Sequence, residues 1–161
     1  MRSKLMSLSV VSLLAMLLNN CSGPLKTRED TYDHLQFSSG GAYHPDGYGE
    51  WTTIVDKEGR FTVEHDVMGN ATNYPPYDLV LSDKEEIWHL ICAAALDEIA
   101  SSVRQGVPDE VMYVFVYGNG TAMDTLKIWR EDATKIVGLG VLVGEIELLI
   151  EKYCGVKPGR I

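Results

Sequence analysis

The chain has 161 residues, 45% of them hydrophobic, with 14 basic against 23 acidic side chains and a formal charge of −9. That length holds one domain with a single buried core. The acidic balance opposes phosphate backbones and anionic headgroups, so it argues against nucleic acid as a partner and leaves any membrane contact to an attached lipid.

The chain opens with Arg2 and Lys4, then a mostly apolar run over residues 5–18. A basic start and a short apolar core mark an export signal, and the run falls short of the ~20 residues that a membrane-spanning helix needs. Leu17-Leu18-Asn19-Asn20-Cys21 resembles the lipobox of bacterial lipoproteins, although two asparagines stand where that family carries small residues. The resemblance implies cleavage before Cys21 and acylation of Cys21. Ser22 then favours the outer membrane if the cell is Gram-negative. Ordinary cleavage nearby, with Cys21 left as a thiol, is the rival reading. Removing residues 1–20 takes Arg2 and Lys4 away, which leaves 12 basic against 23 acidic side chains and a charge of −11. The expected organisation is a signal peptide over 1–20, lipid attachment and a polar tether over 21–32, one domain over 33–155 and a tail over 156–161.

Within the domain, the first strand is expected over 34–38, running into Gly40-Gly41. Residues 44–49 read as a turn-rich surface loop. Strands over 50–56 and 60–67 join through Lys57-Glu58-Gly59 as a hairpin. Residues 69–76 read as a loop and 77–81 as a short strand. Ser82-Asp83-Lys84-Glu85 fits a capping box that starts a helix reaching residue 104. Trp88, Ile91, Cys92, Ala95, Ile99 and Val103 share one face of that helix. Residues 111–117 are apolar on both faces, as in a central strand. Asn119-Gly120 turns the chain into a partner strand over 121–129. The last helix spans 137–154 and aligns Leu139, Leu142, Val143, Ile146, Leu149, Ile150 and Tyr153, with Gly155 ending it. The order β-β-β-β-α-β-β-α predicts an α+β domain: a curved, mainly antiparallel sheet of about six strands with two helices on one face.

Phe37-Ser38-Ser39-Gly40-Gly41, the strand closing at Gly59, the helix after Leu81, the strand after Pro108 and the hairpin ending in Ile128-Trp129 together resemble a group of uncharacterised bacterial lipoproteins. That resemblance implies a location and a fold, with no activity. The same order of elements is similar to emfourin-type protease inhibitors, which open with a glycine pair after the first strand. The second resemblance implies an inhibitory loop following Gly40-Gly41.

Candidate chemistry is sparse. His44-Pro45-Asp46 is the best local ligand pair, which keeps open a metal-binding protein or a hydrolase using His44 and Asp46. No zinc-type spacing accompanies it. The expectation is no catalytic residue, no metal and no cofactor. Gly138, Gly140 and Gly144 suggest a dinucleotide loop but lack the βαβ context, so they read as sites of close helix-to-sheet approach. Cys92 and Cys154 fall in the two helices, and export to an oxidising compartment makes a bridge between them conceivable. Buried thiols are the alternative. Tyr43, His44, Tyr48, Tyr74 and Tyr77 lie on proline- and glycine-stiffened loops suited to protein or peptide contact. Val141, Leu148 and Lys152 form a smaller candidate patch opposite the core face of the last helix. Together these features predict an exported, lipid-anchored, non-catalytic domain that binds an envelope protein or peptide.

Overall fold

Alternating apolar side chains build the sheet. The computed structural model describes residues 32–40, 49–106 and 110–158. Its strands are β1 (His34–Gly40), β2 (Glu50–Asp56), β3 (Arg60–Val67), β4 (Asn70–Asn73), β5 (Tyr77–Asp78), β6 (Met112–Asn119) and β7 (Ala122–Trp129). They form one antiparallel sheet in the order β4-β3-β2-β1-β6-β7, with β5 also paired to β3. Leu35 lies opposite Val55 and Tyr117, and Phe37 opposite Thr53 and Phe115. This register sets Leu35, Phe37, Val55, Phe61, Val63, Tyr113, Phe115, Leu126 and Ile128 on one buried face. The opposite face carries Gln36, Thr52, Ile54, Val114 and Val116, all half-exposed.

Among the described residues, three α-helices pack with the sheet: α1 (Leu81–Ala94), α2 (Arg130–Ala133) and α3 (Val137–Cys154). Ile87, Ile91 and Ala94 of α1 join Leu139, Leu142, Ile146 and Ile150 of α3 in the same core. The long helices run antiparallel, since Gly138 at the start of α3 abuts Ala94 while Lys152 near its end reaches Asp83. Each fully buried large side chain contributes about 1.5–3 kcal/mol, against about 0–1 kcal/mol for an exposed ion pair, so this core carries the fold. The α+β class and the antiparallel sheet stand as expected.

Several boundaries are corrected. Residues 70–73, expected as loop, form β4. Met68 and Gly69 turn at positive φ, and Asp66 Oδ1 accepts the Gly69 amide at 2.7 Å, which folds a polar strand back onto β3. The strand expected over 77–81 shrinks to two residues because α1 already begins at Leu81. Ser82 is not its cap. Val80 holds that position in extended geometry, and the Val80 amide donates to the Tyr153 hydroxyl at 3.0 Å.

Helix α1 ends at Ala94 rather than residue 104, because Ala95 takes a left-handed φ of 52°. A 3₁₀ turn, Leu96–Glu98, follows and buries Leu96. The core face of α1 is therefore Ile87, Ile91 and Ala94, and Val103 is fully exposed. Tyr32, assigned to the tether, is 4% exposed and donates to Asp97 Oδ1 at 2.6 Å. Val156 and Pro158, assigned to the tail, pack on the domain. Of the three helical glycines, only Gly138 makes a close approach, and it meets helix α1 rather than the sheet.

Candidate functional site

Helix α2, the first half of α3 and the returning residues 157–158 enclose a groove of 430 Å³. Buried Ala133, Leu139 and Val143 form its apolar floor. The groove stays open along α3 because Gly140 and Gly144 carry no side chain there. A Cβ at either glycine would meet nothing within 4 Å. Arg130, Thr134, Glu147 and Lys157 supply the polar groups. The Arg130 amide donates to the Val111 carbonyl at 2.9 Å, which fixes the residue at the junction of β7 and α2.

Arg130 is a half-buried residue, and its guanidinium has no hydrogen-bond or ion-pair partner among the described residues. Glu147 likewise makes no direct ion pair there. Burial pushes its carboxyl above the usual range, and the charge of Lys157 partly opposes this. Tyr113 lines the same groove from β6. Burial pushes its hydroxyl up to about 12, Arg130 pulls it back, and Glu147 adds to the rise. An apolar floor with a few converging polar groups and perturbed ionisations is the usual form of a ligand site.

No protein-family model matches the chain, and no curated protein is similar to it in sequence. The site must therefore be read from its own chemistry.

The residues singled out in the sequence lie elsewhere. Cys21, Tyr43, His44, Asp46 and Tyr48 fall outside the described residues. Tyr74 and Tyr77 are half-buried and packed against the core. The Tyr74 ring stacks toward Trp51 with 6.3 Å between centroids, and Trp51 itself stacks on His65 at 3.9 Å. Tyr77 packs on Tyr153 at 5.6 Å and lies beside the Cys154 thiol, whose ionisation burial pushes up and Tyr77 partly pulls back. The described aromatic loops thus work inward.

Cys92 and Cys154, which a bridge could have joined, are not bonded to each other. Antiparallel packing places Cys154 beside the start of α1, whereas Cys92 lies near its far end. At 1.5 Å per residue that offset is about 13 Å, well beyond the ~7 Å Cα limit for a disulfide. Cys92 instead lines a second groove, of 340 Å³, with Tyr32, Lys57, Lys84, Trp88 and His89. Among the described residues no three His, Cys, Asp or Glu side chains converge as a metal site, and no helix is long and apolar enough to cross a membrane.

Sequence reasoning missed Arg130, Glu147 and Lys157. The available signal was the Gly140–Gly144 pair, four residues apart on one helix face and close in sequence to an arginine.

Proposed function

We propose that the chain is an exported, lipid-anchored, non-catalytic domain that binds a protein or peptide of the cell envelope. The observation that carries the binding part is Arg130: a half-buried residue whose guanidinium has no acidic partner among the described residues, beside an apolar floor. A buried charge is stabilised by an opposite charge and hydrogen bonds, and here an incoming ligand supplies them. Export rests on the basic and apolar opening of the chain, and anchoring on Cys21. The protease-inhibitor and metal-site readings depend on residues 41–48 and draw nothing from this groove.

Two measurements test the proposal. Peptides displayed as a random library should enrich on the purified protein and be lost with Arg130→Gln; a library that yields no binder rejects the binding role. The mature chain should carry a lipid mass increment on Cys21 and leave the membrane fraction with Cys21→Ser. An unmodified, soluble mature chain rejects the anchor.

A further inference from the structure

We infer that the groove over Gly140 and Gly144 receives the C-terminal residue of a peptide, with its α-carboxylate on Arg130 and its aliphatic side chain over the two glycines, above buried Ala133, Leu139 and Val143. This deepens the peptide-binding reading and rests on it.

Two independent observations meet here. The first is charge. Arg130 and Lys157 against the single acid Glu147 make the groove cationic in a chain of formal charge −9. A guanidinium matches a carboxylate in a planar, two-bond geometry. The second is space. A glycine inside a helix costs about 1 kcal/mol relative to alanine. At Gly138 a packing contact offsets that cost, since an added Cβ would sit 3.2 Å from the Ala94 Cα. At Gly140 and Gly144 no contact within the described domain does so. The room they leave is the groove itself.

The arrangement favours a chain terminus over an acidic side chain. Arg130 and Ala133 share one short helix, so the carboxylate receptor and the apolar floor begin side by side. A C-terminal aliphatic residue carries both matching groups on one Cα. An aspartate or glutamate needs a second residue to fill the floor.

The path continues. A smaller hollow of 150 Å³ shares Gly144, Glu147, Lys157 and Pro158 and adds Leu148 and Glu151. From Gly140 to Leu148 the helix rises about 12 Å, the length of three to four extended residues. The upstream peptide would lie there, with its backbone amides toward Glu147 and its apolar side chains toward exposed Leu148.

The test uses the purified full-length protein and an N-terminally labelled peptide, Gly-Ser-Gly-Val-Leu, read by fluorescence anisotropy. The free acid should bind at least tenfold more tightly than the C-terminal amide. It should also bind at least tenfold more tightly than an amidated Gly-Ser-Asp-Val-Leu, which offers only a side-chain carboxylate. Arg130→Gln should remove the preference for the acid. Gly144→Leu should abolish binding without lowering the unfolding temperature, which separates a filled groove from a broken fold. Equal binding of acid and amide, no binding of the acid, or unchanged binding by both variants overturns the inference. Library peptides that bind whatever their C-terminus overturn it while leaving the peptide-binding reading intact; a library with no binder overturns both.

Discussion

At the scale of single residues, the start of α1 shows a tertiary contact replacing a local cap. The Tyr153 hydroxyl accepts the Val80 amide and donates to Asp83 Oδ2 at 2.7 Å. Lys152 adds two bonds to the same carboxylate, at 2.8 and 2.6 Å. The capping box legible in Ser82 and Glu85 was a sound local motif, but the helix begins one residue before the serine, and residues some seventy positions away satisfy the orphan amide. Tyr153→Phe should therefore cost about 1 kcal/mol, as loss of a helix cap does, read as a lower urea midpoint at unchanged slope. An unchanged midpoint would count against this role. The Lys152 hydrogen bond, then the Tyr153 hydroxyl, hold the Asp83 carboxyl below the usual carboxylate range despite burial. A depressed folded value stabilises the fold above the unfolded value of about 4. That contribution is lost as pH falls through the lower folded value. Stability measured from pH 6 downward should drop below about pH 4, and Asp83→Asn should flatten the drop while lowering stability at pH 6.

At the scale of elements, the chain segment after α1 protects the sheet edge. Ser102 donates its amide to the Lys127 carbonyl at 2.8 Å, Ser101 Oγ accepts the Lys127 amide, and Ser102 Oγ accepts the Trp129 amide. Arg104 then locks the segment by bonding Glu110 and Asp132, while its carbonyl accepts Trp129 Nε1 at 3.1 Å. An uncovered edge strand invites pairing with another chain. Gly106 lets the backbone pass over the Trp129 ring, where an added Cβ would sit 2.4 Å from ring carbons. Gly106→Ala should cost about 1–3 kcal/mol by overpacking and, by freeing the edge of β7, promote self-association visible in light scattering. A monomer of parental stability would refute that. The helical glycines give the opposite pattern: Gly140→Ala should stabilise by about 1 kcal/mol, whereas Gly138→Ala should not, because it meets the Ala94 backbone. β2, β3 and α3 were legible to the residue, since each couples a clean apolar period to a glycine stop. β4 was not, because Asn70-Ala71-Thr72-Asn73 has no apolar face and pairs through its backbone alone. The end of α1 was not either, because Ala95 reverses the chain without a glycine or proline. The groove stayed hidden for a related reason: its polar groups come from α2, α3 and the chain beyond them, which only the packed fold brings together.

At the scale of the whole molecule, a strongly acidic domain surrounds a small cationic groove. Residues 21–161 carry 12 basic and 23 acidic side chains. A peptide with a free carboxylate would therefore approach against the field of the whole domain and bind through one local guanidinium. The two effects have different ranges. At about 0.1 M salt the Debye length is about 10 Å, so the long-range repulsion is screened while a half-buried contact is screened much less. Encounter rates follow the long-range field, and dissociation follows the local contacts. Where the overall field attracts a charged ligand, salt slows association. Here the sign reverses: raising salt from about 20 to 150 mM should increase the association rate of the Gly-Ser-Gly-Val-Leu acid and leave its dissociation rate nearly unchanged. The amide, lacking the terminal charge, should show little change in either rate. Stopped-flow anisotropy resolves both rates. An association rate that falls with salt would mean that the cations around Arg130 dominate the field at the groove mouth, and that the acidity of the chain plays no part in selecting its ligand.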